Sequence, residues 1–146
     1  MKKFDFTMQK ILDLREFEEE QSKIELGKAV SETNRIQQEL QAVAAERARM
    51  VKVCSESPVT EMIVNERYIT RLDITRDRLL EELAAAELVV EEKRASFAEA
   101  MKNRKVLTNL KEKQAENHKK GFQLAEANSM DDLASARHGN VVSSSI

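Results

Sequence analysis

Residues 53–62 read VCSESPVTEM, and they contain the only proline of a 146-residue chain, Pro58. Proline is tolerated in the first turn of a helix and not in its interior, and serine is a favoured N-cap. Ser57 followed by Pro58 therefore predicts that one helix ends near Cys54–Glu56 and another begins at about 58. On either side the chain is nearly free of helix breakers, since it has three glycines in all. Ala, Leu, Glu, Lys, Arg and Gln dominate, and these are strong helix formers. Charged residues make up 34% and aromatics 4%, with no tryptophan, a composition of long helices or coiled coils rather than of an ordinary globular core. At about 1.5 Å per residue the first helix would reach on the order of 75 Å and the second on the order of 110 Å.

Helices of that length need a partner, and the spacing of apolar residues supplies one. A strict three–four alternation in the first half falls on Leu12, Arg15, Glu19, Ser22, Leu26, Ala29, Thr33, Ile36, Leu40, Val43, Arg47, Met50 and Cys54. In the second it falls on Met62, Asn65, Ile69, Leu72, Arg76, Leu79, Leu83, Ala86, Val90, Lys93, Phe97, Ala100, Arg104 and Leu107. A narrow stripe of period 3.5 specifies a left-handed coiled coil. The short break makes the two helices antiparallel. The fold expected is all-α: a long antiparallel two-stranded coiled-coil hairpin, an elongated rod with the second helix longer than the first. Its parts are helix 1 over about 4–55, a turn at 56–58, helix 2 over about 58–137 and a frayed tail at 139–146, all in one domain. This hairpin brings Leu40 near residue 75 and Met8 near Leu107. Residues from about 111 onward are then left beyond the end of the first helix.

Several function classes find no support in the sequence. The formal net charge of −2 offers no electrostatic footprint for nucleic acid. No apolar run approaches a membrane span of about 18 residues, and the basic start MKKF lacks a signal-peptide core. With a single cysteine, Cys54, the chain is expected to stay in the cytoplasm. His118 and His138 lack metal-site spacing, and the glutamates of REFEEEQ point around the helix rather than at one another. No cofactor, metal or catalytic group is expected. Arg47 and Arg76 lie on the seam, where each needs a carboxylate and can set register. Tyr68, the only tyrosine, sits in NERYITRLDITRDRLL beside the seam and is a candidate anchor for a partner.

Three stretches resemble the flagellar export protein FliJ family: the opening MKKFDFTMQKILDLREFEEEQSKIEL, the segment NERYITRLD after the turn, and NSMDDLASARH near the C-terminus. The resemblance implies a non-catalytic stalk of the flagellar type III export apparatus, cytoplasmic and peripherally associated with the inner face of the cell membrane at the flagellar base. It implies as partners the export ATPase ring, the cytoplasmic domain of the export gate membrane protein and export chaperones, without nucleic acid or direct membrane insertion. Carried over residue by residue, it assigns gate contact to Tyr68, Leu72, Thr75 and Leu79, with Leu40 and Val43 on the first helix. Contact with the ATPase ring is expected of Phe4, Phe6, Met8, Ile11, Phe122 and Leu133. The equivalent stalk of a virulence-type injectisome and a self-associating scaffold are the alternatives.

Overall fold

The computed structural model describes residues 2–144, with side chains to residue 139. It contains two helices, α1 (Gln9–Glu56) and α2 (Val59–Ser144), with no strand among the described residues. The fold is the all-α hairpin expected, and the second helix is the longer. Contacts group the chain into two compact units, Phe17–Met101 and Met1–Glu16 with Lys102–Ile146.

In the unit Phe17–Met101 the core is the seam. Every α1 position of the three–four series is buried or half-buried, and on α2 only Met62 and Arg76 stand out of it. Ile36, Met50, Leu79, Val90 and Ala100 are the buried apolar side chains here, and all lie on the series. Leu79, at 2% exposure, is the most enclosed. Burying a leucine of this kind contributes about 1.5–3 kcal/mol, which offsets the cost of ordering a helix that has few other contacts. Arg47 meets the demand its seam position makes, since its Nε donates to Asp73 Oδ1 across the helix pair at 2.7 Å. Arg76 lies 3.4 Å from the same carboxylate, so Asp73 sits between two guanidinium groups. Glu46 meets Tyr68 as the expected register has it, and the long Arg47 side chain reaches along the pair to Asp73.

The turn corrects one assignment. Ser57 does not cap α2; its Oγ donates to the Val53 carbonyl at 2.6 Å, and so satisfies a carbonyl left open at the end of α1. The same hydroxyl accepts from Asn65 Nδ2 at 3.2 Å, which ties α2 to the turn. Pro58 precedes the first residue of α2, and its carbonyl accepts from the Glu61 N–H.

In the other unit, α1 begins at Gln9 rather than near residue 4. Residues 2–6 are not helical, and burial alternates from Phe4 to Met8: the even positions are covered and Asp5 and Thr7 are exposed. The non-helical residues lead into a turn at Thr7 and Met8, closed by the Gln9 N–H donating to the Phe6 carbonyl at 3.0 Å. A helix would have turned Phe6 away from Phe4 and Met8. Instead Phe6, Leu12 and Leu107 form a buried cluster, with Phe4, Met8 and Leu110 packed against it. Met8 thus lies where the hairpin pairing places it, near Leu107.

The far end of α2 departs from the expected tail. α2 passes through Gly139 and continues to Ser144, while residues 145–146 lie outside those described. Gly139 does not have the positive φ that would reverse the chain, and glycine in a right-handed helix costs only about 1 kcal/mol relative to alanine.

Two outcomes follow for the unit Phe17–Met101. Leu79→Ala lowers stability by about 2–4 kcal/mol in chemical denaturation, whereas Leu88→Ala, at a site 69% exposed, changes it little. The hydrogen bond from Arg47 holds the Asp73 carboxyl below its ordinary value of 3.8. The stability this pair contributes is fully present above that value and is lost as pH falls through the lower, folded value. Melting temperature therefore drops on acidification below about pH 4, and drops less in Asp73→Asn.

Candidate partner-binding surfaces

The described residues do not assemble a reactive constellation. No group of three His, Cys, Asp or Glu side chains comes close enough to hold a metal among them. Cys54 is a half-buried free thiol on the seam. An open groove of about 700 Å³ runs along the side of the unit Phe17–Met101, bordered by Val30, Asn34, Leu88 and Arg94. Arg94 there is engaged by Glu91 at 3.2 Å. No helix of the described chain is long and apolar enough to cross a membrane.

What the hairpin does present is side chains for contact. Tyr68 is 37% exposed, and its hydroxyl donates to Glu46 Oε1 on the facing helix at 3.1 Å. Arg49 grips the same carboxylate, with Nη2 2.6 Å from Oε1 and Nε 3.0 Å from Oε2. The aromatic ring is thus fixed at one end by a charge pair and offers its flank to solvent. The bond to Glu46 raises the phenol above its ordinary value of 10.0, while Arg49 holds the Glu46 carboxyl down.

The structure treats the other residues assigned to this region differently. Leu40, Val43 and Leu72 are half-buried seam residues. Thr75 is also half-buried, and its hydroxyl donates to the Arg71 carbonyl at 3.0 Å. Leu79 is enclosed in the seam and presents no surface to a partner in this conformation. Sequence reasoning missed the Glu46–Arg49 pair that orients Tyr68. It also missed Val64 and Ile74, exposed at 67% and 64%; the available signal was apolar residues falling off the seam.

In the second unit the N-terminal residues are bound down. Phe6 is 5% exposed, and the Phe4 ring lies against His118 with centroids 5.6 Å apart. Lys111 Nζ donates to Gln9 Oε1 at 2.6 Å, fixing the start of α1 on α2. Met8 is half-buried, and Ile11 is 43% exposed beside them. Beyond His118 every described side chain to residue 139 is exposed, including Phe122 at 38% and Leu133 at 63%. Residues 102–120 carry seven Lys and Arg against two Glu, a local excess that the near-neutral total conceals.

A two-helix hairpin with one seam for a core defines a coiled-coil protein. The family model for the flagellar FliJ protein matches residues 4–143, and the chain belongs to that family. Its role accordingly lies in flagellar protein export. No curated protein matches the chain, and no solved structure does.

With one tyrosine and no tryptophan, the Tyr68 linkage can be read directly. Ultraviolet titration of the native protein gives a phenol midpoint above 10.0, and Glu46→Ala brings it down toward that value while helicity by circular dichroism stays the same. An unchanged midpoint would show that the ring is not held by Glu46.

Proposed function

We propose that the protein is a non-catalytic stalk that links the flagellar export ATPase ring to the export gate and assists the handling of export chaperones. The observation that carries this reading is the segregation of contact surface between the two units of a family member. One unit offers an oriented Tyr68, and the other offers the bound N-terminal segment and a helix exposed from Lys119 onward. Tyr68 and the side chains beyond His118 are not needed to complete the seam and remain for partners, while the N-terminal segment also closes the seam through Phe6 on Leu12 and Leu107.

In this reading Tyr68 is the gate contact and Thr75 lies along its edge. Leu72, Leu40 and Val43 support that surface from the seam, and Leu79 acts through packing alone. Phe4, Phe6 and Met8 shape the start of α1, and Ile11, Phe122 and Leu133 meet the ATPase ring. The basic excess over residues 102–120 suits a ring surface of opposite sign. The protein works at the cytoplasmic face of the membrane at the flagellar base, held there by its partners. The match to a flagellar family favours this over the corresponding injectisome stalk. A self-associating scaffold would instead pair the exposed end of α2 with a second copy.

Deletion of residues 1–8 tests the division of labour. Binding to the purified export ATPase weakens about tenfold or more, and binding to the gate cytoplasmic domain changes by less than about twofold, as read by titration calorimetry. Equal loss of both, or a dimer in sedimentation that persists at low concentration, would contradict the assignment.

A further inference from the structure

In the unit Phe17–Met101 the arginines fall into two groups. Arg35, Arg47, Arg49, Arg76, Arg78 and Arg94 each lie within ion-pair distance of a carboxylate. Arg67 and Arg71 do not, among the described residues. The cause is in the sequence: neither has an Asp or Glu three or four positions away on its own helix, where a pairing partner would stand. Those positions hold Ile63, Val64, Tyr68, Thr70, Ile74, Thr75 and, four apart, the two arginines themselves.

Val64, Arg67, Arg71 and Ile74 follow one another at intervals of three, four and three, and so form one stripe on α2. Val64 and Ile74 are exposed at 67% and 64%, and both arginines are exposed. Tyr68 borders the stripe, and Arg71 and Arg49 both act electrostatically on its hydroxyl. The surface therefore combines two unpaired guanidinium groups about one turn apart, an apolar side chain beyond each, and an aromatic ring already held in place. Tyrosine and arginine are the residue types that concentrate binding energy at interfaces, and an unpaired arginine forms forked hydrogen bonds with a carboxylate.

We infer that this stripe is a docking site for an acidic segment of a partner protein, one with two carboxylates about a turn apart and apolar side chains flanking them. The inference rests on reading the Tyr68 region as partner-bearing and adds to it the chemistry of what binds. An anionic membrane is a poorer fit. Lipid-binding stretches gather about 4–8 basic residues, whereas here there are two, and Glu66, Asp73 and Asp77 occupy the opposite flank of the same turns.

The test uses the full-length chain immobilised against a phage-displayed library of random peptides, with Arg67→Glu/Arg71→Glu and Arg67→Gln/Arg71→Gln as variants. Both sites are exposed, so the variants retain helicity by circular dichroism. The expected result is enrichment of peptides with paired Asp or Glu beside apolar residues. A synthetic peptide from that set binds the native chain at least about tenfold more tightly than the charge-reversed variant, with the gap narrowing at high salt. The neutral variant falls between them. Absence of acidic enrichment, or equal binding by the variants, overturns the inference. So does arginine-dependent binding to phosphatidylglycerol vesicles without acidic peptides, or arginine-dependent dimerisation of the chain itself. The purified gate domain is titrated in parallel against the native chain, Tyr68→Ala and the charge-reversed variant. Failure of the gate domain to bind while acidic peptides do would sink the gate assignment and leave the docking chemistry standing. Equal gate binding by the native and charge-reversed chains, with no acidic enrichment, would do the reverse.

Discussion

The structure depends on a seam one side chain wide. Within each unit, full burial is confined to residues that recur at alternating intervals of three and four on both helices, and to Phe6 in the segment that precedes α1. A stripe this narrow buries little area per residue, so the helices are stabilised by many small contacts and by the few fully enclosed side chains, such as Leu79 and Ile36. It also explains why polar groups on the seam matter. Arg47 occupies a position that a purely apolar core would give to leucine, and its bond to Asp73 on the opposing helix penalises any slip of one strand past the other.

The same constraint governs the N-terminal segment. A helical start at residue 4 would spread Phe4, Phe6 and Met8 around the axis, with Phe6 in water. Leaving the helix places all three on one face, where Phe6 is enclosed with Leu12 and Leu107 and Phe4 reaches His118. Backbone regularity is given up over a few residues in exchange for apolar burial, in a unit that otherwise has little. With the seam consuming the buried positions, most of the remaining side chains on the helices lie at the surface. The surface then differentiates by local pairing: Arg49, Arg76 and Arg78 pair within their own helix, Arg47 pairs across the seam, and Arg67 and Arg71 are left open beside an oriented tyrosine.

Much of this was legible in the amino-acid order because a heptad repeat is a local code. The seam residues from Leu12 to Cys54 and, Arg76 apart, from Ile69 to Leu107 could be named from spacing alone, and Pro58 marked the break. The charged contacts across the pair were less legible: Glu46 meets Tyr68 in the register the spacing gives, while the long Arg47 side chain reaches along the pair to Asp73. The start of α1 was misplaced because residues 4–8 carry a two-residue alternation that is too short to outweigh the helical pattern following it. Ser57 stands where a cap would, but which helix end its hydroxyl serves is a matter of turn geometry. Gly139 failed to stop α2 because a glycine ends a helix only when it adopts positive φ. Tyr68 stood out as the sole tyrosine, whereas the carboxylate that holds it lies on the other helix, beyond the reach of any local pattern.

The claim on which the rest turns is that each chain folds back on itself along this seam. Spin labels at Gln38 on α1 and Glu81 on α2, with Cys54 replaced by serine, test it by electron paramagnetic resonance on chains diluted with unlabelled protein. Helices packed about 8–10 Å apart predict a single short distance, on the order of 10–20 Å between labels, within one molecule. A distance near 65 Å, as expected at about 1.5 Å per residue if the two segments formed one continuous helix pairing with a second chain, would contradict the hairpin and the surfaces read from it.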